Sequence, residues 1–245
     1  YIIYRGAFFM VVIQKKRILF LFTCILIGIF ACALQQRNVE TMQTVSLPCT
    51  NKIVILDAGH GLPDEGAESI AGTTEADINL KITLKVQNLL EQSGCIIFLT
   101  RSDENGIYDL DKTTLREKKV SDIKNRVKIG NESSGDIFVS IHLNKIPQEQ
   151  YWGWQTFYKK TNENSEKLAK CLQNGLNETI KRENKRESLP ISNIYIVDHV
   201  EIPISIVECG FLSNPEEEKL LLTEEYQDKL AWGIYTGIMD YFAMN

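Results

Sequence analysis

The sequence predicts an α/β domain of three layers, in which a mostly parallel sheet is flanked by helices and preceded by an N-terminal hydrophobic signal or anchor segment. Two observations lead to this prediction. Several short runs, such as residues 52–57, 136–142 and 203–208, are almost continuously apolar, as strands buried on both faces are. Segments with apolar residues at helical spacing separate these runs, and strands alternating with helices are typical of a parallel sheet.

Residues 1–34 form the first element, a basic stretch followed by an uncharged apolar run at 18–34. Its length suits either the apolar core of a signal peptide or a marginal membrane span. We therefore expect export, with everything after Leu34 facing outward, because the flanking basic residues stay inside. Three alternatives remain open: an uncleaved anchor, a signal peptide cleaved after Ala33, and a lipoprotein modified at Cys32.

The polar residues 35–50 are predicted to be a linker, and residues 51–245 a single catalytic domain. Residues 101–120 are charged and poorly periodic, which indicates a long surface connection. Within the domain we expect a further buried strand at 95–100 and weaker strands at 154–158 and 194–197. Helices are predicted over residues 76–92, 118–132, 163–182 and 225–243.

The cysteines and the charge exclude several classes of protein. The six cysteines show no repeated short spacing and no C-x-x-C pair, so we interpret them as mostly free and exclude a structural zinc ribbon. The formal net charge is −5, although residues 1–34 contain basic residues and no acid. The rest of the chain is therefore more acidic still, which argues against nucleic acid as a partner.

Residues that can bind a metal follow three of the predicted strands. His60 follows the first strand, His142 ends the third, and Glu208 ends the last. Glu75 stands just before the first long helix of the domain. The carboxyl ends of parallel strands meet at one edge of a sheet, where α/β proteins bind ligands. Two imidazoles and one carboxylate suit a catalytic zinc ion, and a second carboxylate could exchange protons with water and a leaving amine.

Each of these residues also has an ordinary structural alternative. His60 could lie in a glycine turn, and His142 could be a strand-end histidine bonded to the backbone. Glu75 could be a helix N-terminal acid stabilised by the helix dipole. Glu208 is harder to explain in this way, because a carboxylate after an apolar strand risks burial without a partner. The remaining histidine, His199, is interpreted as a solvated surface residue.

Six short motifs stand in order between residues 52 and 242. They are DAGHG at 57–61, DEGA at 64–67, Glu75 with Asn79-Leu80, Thr100-Arg101, SIHLN at 140–144 and ECGFLSN at 208–214. Together they resemble the motifs of the zinc-dependent N-acetylmuramoyl-L-alanine amidases of the Amidase_3 family. Leu62 stands where that family commonly has a second glycine after GHG, which affects the shape of the loop rather than the ligand set.

The resemblance implies that His60, Glu75 and His142 bind Zn²⁺ and that Glu208 is the catalytic glutamate. It also implies the reaction, hydrolysis of the amide that joins the lactyl group of N-acetylmuramic acid to L-alanine of the stem peptide in peptidoglycan. Zinc suits two histidines and a glutamate best, although similar ligands also bind iron or manganese.

Three further residues are candidates for a supporting role. Asp57 and Asn144 are expected, from their positions, to orient the histidines. Arg101 is expected either to face the peptide or to pair with an acid.

The compact length, the N-terminal segment and the end of the chain also resemble the sporulation amidases of this family. That likeness implies action on spore cortex, where peptide removal permits muramic-δ-lactam formation, in the wall or the intermembrane space of the forespore. It also makes an activating lipoprotein partner plausible. Two alternatives are a zinc exopeptidase-like peptide hydrolase and a catalytically silent, membrane-tethered peptidoglycan-binding protein.

Overall fold

The computed structural model describes residues 15–37, 46–69 and 72–244. The chain divides into two compact units, one ending at Val45 and one from Ser46 to the C-terminus. In the first unit, helix α1 (Lys15–Arg37) is exposed from Lys16 to Ala31. Within the described residues, no helix is both long and apolar enough to cross a membrane. Residues 1–14 and 38–45 lie outside the description, and the signal or anchor stays a prediction.

The second unit is built on one six-stranded sheet, in the order β2-β1-β3-β6-β4-β5. Only the pair formed by β4 and β6 is antiparallel, so the predicted, mostly parallel sheet is confirmed. The strands are β1 (Ile53–Ala58), β2 (Ile96–Leu99), β3 (Ile137–Asn144), β4 (Gln155–Lys159), β5 (Leu189–Ile191) and β6 (Ile204–Phe211). The helices are α2 (Glu75–Gln92), α3 (Leu115–Glu132), α4 (Glu163–Ile180), α5 (Tyr195–His199), α6 (Pro215–Leu221) and α7 (Glu224–Ala243).

Both faces of the sheet are buried, which explains why the strands are almost continuously apolar. On one face, residues such as Leu56 and Val207 form the larger core with α2, α4 and α7. On the other, Ile55 and Phe138 pack with side chains of α3 and α5. The predicted three-layer arrangement is therefore confirmed. Helices α4 and α7 touch closely, because a Cβ atom at Gly175 would overlap the backbone of α7.

Side-chain caps fix where the helices begin. Thr114 caps α3 in a full capping box, because its hydroxyl oxygen accepts from the Glu117 backbone while the Glu117 carboxylate accepts from the Thr114 backbone. Asn162 caps α4, and Asn214 caps α6 just ahead of a proline. These polar residues satisfy backbone N–H groups that have no partner inside the helix.

The structure corrects two predictions. Residues 194–197, expected to be a weak strand, lie mostly in helix α5, because Ile196 and Val197 are buried together against the sheet. Cys49 and Cys95, expected to be free, form a disulfide that joins the start of the domain to the residue before β2. Cys49 is fully buried, so this end of the predicted linker packs with the domain.

Candidate active site

Four of the predicted site residues lie at the carboxyl end of the sheet. His60 lies just beyond β1, His142 is in β3, and Glu208 is in β6. Glu75 is the first residue of α2, a position fixed by Thr74, whose side chain caps that helix. Because β1, β3 and β6 are neighbours and parallel, their carboxyl ends carry these groups to the same place.

Three side chains converge on one point. The Nε2 atom of His60 lies 3.3 Å from Oε2 of Glu75, and Nδ1 of His142 lies 3.0 Å from Oε1 of the same carboxylate. The two imidazole rings meet edge to face, with centroids 5.1 Å apart. One ligand atom from each residue lies within 4.8 Å of the others, so the three side chains are grouped as a metal site requires.

Two glycines allow this convergence. A Cβ atom at Gly59 would overlap the ring of His142. A Cβ atom at Gly66 would overlap both Glu75 and His60, and the φ of Gly66 is +72°, a conformation that favours glycine. The glycines of the DAGHG and DEGA motifs therefore leave the space that the three ligand side chains fill.

His60 is held from its far side by a carboxylate. Its Nδ1 atom lies 3.1 Å from Oδ2 of Asp64, and Oδ1 of Asp64 lies 2.7 Å from the ammonium group of Lys119. Burial by itself would lower the pKa of His60, but the carboxylates of Asp64 and Glu75 outweigh it and raise this pKa to about 9. The orientation of the ring, with Nε2 toward Glu75, follows from these contacts.

Glu75 is held by the backbone as well as by the histidines. Its oxygens accept hydrogen bonds from the backbone N–H groups of Ala67 (2.9 Å) and Leu143 (3.1 Å). Burial opposes its ionisation, yet His142 and His60 hold its pKa well below the usual range for a glutamate. The Glu75 carboxylate is therefore ionised and fixed, and the site favours positive charge beside it.

No hydrogen bond within the described residues joins the Asp57 side chain to either histidine, and its orienting role stays a prediction. Its carboxylate accepts hydrogen bonds from the hydroxyl groups of Thr100 and Ser140 and pairs with Arg126 at 2.6 Å. Arg126 also donates to the backbone carbonyl of His60. Burial opposes ionisation of Asp57, but Arg126 lowers its pKa below the usual value. Asp57 thus acts on the site through Arg126 and the backbone.

The roles expected of two other candidates also stay predictions. Among the described residues, no hydrogen bond joins the Asn144 side chain to either histidine; its backbone carbonyl accepts from Leu212 instead. Arg101 is buried, and no acid in the described part of the chain forms an ion pair with it. It donates to the backbone carbonyls of Ala58 (2.9 Å), Gly59 (3.0 Å) and Ala76 (2.8 Å). Arg101 therefore ties the end of β1 to the start of α2.

Glu208 has surroundings unlike those of the other acids. It is the register partner of His142 on the neighbouring strand, and its Oε2 atom is buried with no hydrogen-bond partner in the described part of the chain. Burial raises the pKa of Glu208 to about 7, and the nearby His142 offsets this only in part. A carboxyl group with such a pKa can both accept and donate a proton near neutral pH.

Sequence reasoning gave no role to three residues that hold the site together: Asp64, Lys119 and Arg126. A signal existed for Asp64, which lies four residues after His60 in the DEGA motif. Arg126 carried a weaker signal, because it stands four residues after Asp122 on a helix and the two form an ion pair.

The fold and the site together are those of an α/β protein with a candidate three-residue metal site. A model of the Amidase_3 family, whose description is N-acetylmuramoyl-L-alanine amidase, matches residues 54–240. The chain therefore belongs to the Amidase_3 family, and it is an enzyme of the N-acetylmuramoyl-L-alanine amidase class. This membership supports the amidase prediction over the exopeptidase-like and catalytically silent alternatives.

Particular members of the family are similar over most of the chain. The germination-specific N-acetylmuramoyl-L-alanine amidase of Bacillus subtilis (strain 168) is 36% identical over 218 residues, which cover 89% of this chain and 91% of that protein. The CwlD amidase of Clostridioides difficile, solved in complex with the GerS lipoprotein, matches with a TM-score of 0.78 and 46% identity. That match covers 80% of this chain and 100% of the CwlD chain. An amidase from Clostridium difficile 630 matches with a TM-score of 0.68 and 30% identity, over 79% of this chain and 98% of that one.

Proposed function

We propose that this amidase holds Zn²⁺ between His60, Glu75 and His142 and uses Glu208 to move protons. The convergence of three ligand atoms within 4.8 Å carries the proposal. The donor set fits the ion, because two imidazoles and one carboxylate are ligands that catalytic zinc sites use, whereas magnesium and calcium prefer oxygen. The charge balance fits as well, since the carboxylates of Glu75 and Asp64 beside His60 favour a cation at this point.

The bond cleaved is the amide between the lactyl group of N-acetylmuramic acid and L-alanine. Zinc, when bound, supplies a Lewis acid that polarises the carbonyl and makes water more acidic. Glu208 accepts a proton from the attacking water and delivers one to the departing alanine nitrogen. A single carboxyl group can do both, because its pKa of about 7 keeps the two protonation states close in free energy.

The other residues of the site position these groups. Asp64 holds the ring of His60 through Nδ1, which leaves Nε2 for the metal. Arg101 and Arg126 hold the backbone carbonyls around His60, so the loop after β1 keeps its shape. In this mechanism both arginines are positioning residues and neither contacts the substrate.

The experiment that tests the proposal is digestion of peptide-bearing glycan strands by the full chain. Samples are treated with a chelator, then supplied with zinc, iron or manganese, and the products are identified by mass spectrometry. We expect release of intact peptides that begin with L-alanine, lost on chelation and restored best by zinc. Restoration by iron or manganese alone would replace zinc in the proposal, and peptides cut at internal bonds would contradict the assigned reaction.

We further propose that the enzyme acts on spore cortex peptidoglycan with a lipoprotein partner. The similarity to a germination-specific amidase and to an amidase crystallised with a lipoprotein supports this role. Deletion of the gene should leave spores that form but lack muramic-δ-lactam, and a chain carrying Glu208→Gln should not restore it. Co-purification of the chain from sporulating cells should recover a lipoprotein. Normal muramic-δ-lactam content in the deletion strain would contradict the spore role.

Export through the N-terminal segment belongs to the same proposal. The apolar run at 18–34 with its basic flank supports it. A reporter enzyme that is active only outside the cytoplasm, fused after residue 245, should be active. A change of Ile25 and Leu26 to arginine should abolish that activity. Cell fractionation then separates an anchored chain from a cleaved one by its mass and location.

A further inference from the structure

An open cleft of about 460 Å³ lies between the loop joining β3 to β4 and the segment that follows α4. We call it the arginine cleft. Positive charge dominates it, because Lys185 pairs with Glu183 at 3.3 Å while no acid pairs with Arg186 in the described residues. The residues that define the cleft are Tyr151, Trp152, Glu183, Asn184, Lys185 and Arg186.

Arg186 is held rigidly in this cleft. Its Nε atom donates to the backbone carbonyl of Trp152 at 3.2 Å, and its Nη1 atom donates to Oε1 of Gln155 at 3.0 Å. The guanidinium group also lies over the ring of Phe211, 4.6 Å from the centroid. Arg186 is half-buried, and its backbone N–H donates to Asn184. An arginine fixed in this way loses little side-chain entropy when it binds a ligand.

One edge of the guanidinium group remains available. Its Nη2 atom donates to no acceptor among the described residues, whereas Nε and Nη1 are both used. The arginines act electrostatically on the Glu217 carboxylate, but its oxygens already accept hydrogen bonds from the backbone of Gly153 and Phe211. A second cation, Arg182, lies over the ring of Trp152 at 3.8 Å. The cleft therefore presents positive charge that this part of the chain does not neutralise.

The arginine cleft is next to the catalytic edge of the sheet. Gln155, which holds Arg186, is the register partner of Glu208 on the adjacent strand. Register partners project on the same face of a sheet with Cβ atoms about 5 Å apart. Glu208 is in turn the register partner of His142, so Gln155, Glu208 and His142 form a row across three strands. A peptide whose first amide lies at Glu208 can reach Arg186 within a residue or two.

We propose that Arg186 binds a carboxylate of the stem peptide and so selects acidic stems over stems in which that carboxylate is an amide. This inference rests on the proposed amidase function. A guanidinium edge matches a carboxylate in geometry and charge, while a carboxamide offers one acceptor oxygen and no charge. The group recognised is defined by its chemistry, an acidic side chain or α-carboxylate near the alanine end of the peptide.

The test compares two substrates and four proteins. The substrates are glycan-linked peptides with free carboxylates and the same peptides with those carboxylates amidated. The full-length proteins are the wild type, Arg186→Gln, Arg186→Lys and the control Lys167→Gln, which removes one exposed positive charge from α4 outside the cleft. Isothermal titration of the released free peptide against each protein supplies a readout that does not need turnover.

For the wild type we expect kcat/KM about tenfold or more higher on the carboxylate substrate, as a charge-assisted hydrogen bond provides. Arg186→Gln should remove this preference, mainly by raising KM for the carboxylate substrate toward the value for the amidated one. Arg186→Lys should keep part of the preference for the carboxylate substrate, and Lys167→Gln should keep all of it.

Three outcomes would overturn the inference and leave the amidase function intact. The first is an equal loss of kcat/KM on both substrates in Arg186→Gln. The second is a wild type that does not prefer the carboxylate substrate. The third is a loss of preference in Lys167→Gln as large as that in Arg186→Gln. If no protein hydrolyses either substrate even after extract of sporulating cells is added to supply the partner, the amidase function fails, and the titration decides the inference separately. Binding of the acidic peptide that Arg186→Gln does not weaken would then reject the arginine cleft as its site.

Discussion

The two sides of the active site are supported in opposite ways. On one side, His60 and Glu75 have partners for nearly every polar atom, through Asp64, the backbone and each other. On the other side, the Oε2 atom of Glu208 is buried without any hydrogen bond in the described chain. The difference follows the chemistry proposed for each side. A carboxylate ligand must stay ionised and an imidazole ligand neutral, each in a fixed geometry. A group that carries protons must instead gain and lose a proton easily.

A hydrogen-bonded carboxylate would be a poor proton carrier. Glu75 shows why, because its partners hold its pKa well below the ordinary value and it stays ionised. Glu208 lacks such partners, and burial raises its pKa to about 7. The missing hydrogen bond to Oε2 of Glu208 thus lowers the stability of the folded protein, but it leaves the carboxyl group able to exchange a proton. Four variants test this comparison.

The largest effect is expected for Glu208→Gln. Loss of the proton carrier should lower kcat by about 10²–10⁴-fold, the range that general acid–base catalysis supplies. Zinc content should stay at the wild-type level and thermal stability should not fall, because the buried charge is removed. Peptide release and metal analysis measure the two results. Glu216→Gln, on the exposed start of α6, is the control. Unchanged hydrolysis would reject the proton-carrier role.

Arg126→Gln should have the largest effect on stability. Arg126 and Asp57 are almost completely buried and pair at 2.6 Å, so the substitution leaves a buried carboxylate without its partner. We expect a loss of about 3–5 kcal/mol in the free energy of unfolding, measured in urea. Arg116→Gln, an exposed position on α3, should change it little. Equal stability of the two variants would show that Thr100 and Ser140 alone satisfy Asp57.

The amino end of the sheet provides a contrast. The Cys49–Cys95 disulfide spans 46 residues of sequence and lies at the opposite end from the site. Loss of a cross-link across a loop of this length should cost about 4 kcal/mol by chain entropy. The Cys49→Ser, Cys95→Ser double variant should therefore unfold more easily but bind zinc as tightly as the wild type. A parallel loss of zinc affinity in the folded variant would show that the two ends of the sheet are coupled.

The smallest effect is expected for Asp64→Asn. Without the carboxylate behind it, His60 is held less firmly, and zinc affinity should fall about 10–100-fold. Competition with a chromogenic chelator measures this change. The matched control is Asp77→Asn, because the Asp77 side chain is exposed on α2 and pairs with Lys81, away from the site. If both variants bind zinc alike, the orientation of His60 does not depend on Asp64.

Much of the fold could be predicted because it rests on local patterns. Strands buried on both faces are continuous apolar runs, and the polar residue that ends each run lies at the carboxyl edge of a parallel sheet. These patterns located the neighbourhood of His60, His142 and Glu208. The short elements escaped, because a strand of three residues and a helix of five carry too little periodicity to recognise.

The sequence alone therefore determined the order of the longer strands and helices, the motifs of the family and the residues brought to the edge of the sheet. The tertiary structure decided which side chains contact one another and which backbone groups they bind. Asp64 rather than Asp57 contacts His60, Arg101 and Arg126 bind carbonyls, and Cys49 pairs with Cys95. The physical reason is that such contacts depend on side-chain directions and distances between segments far apart in sequence. Those are fixed only when both faces of the sheet are packed.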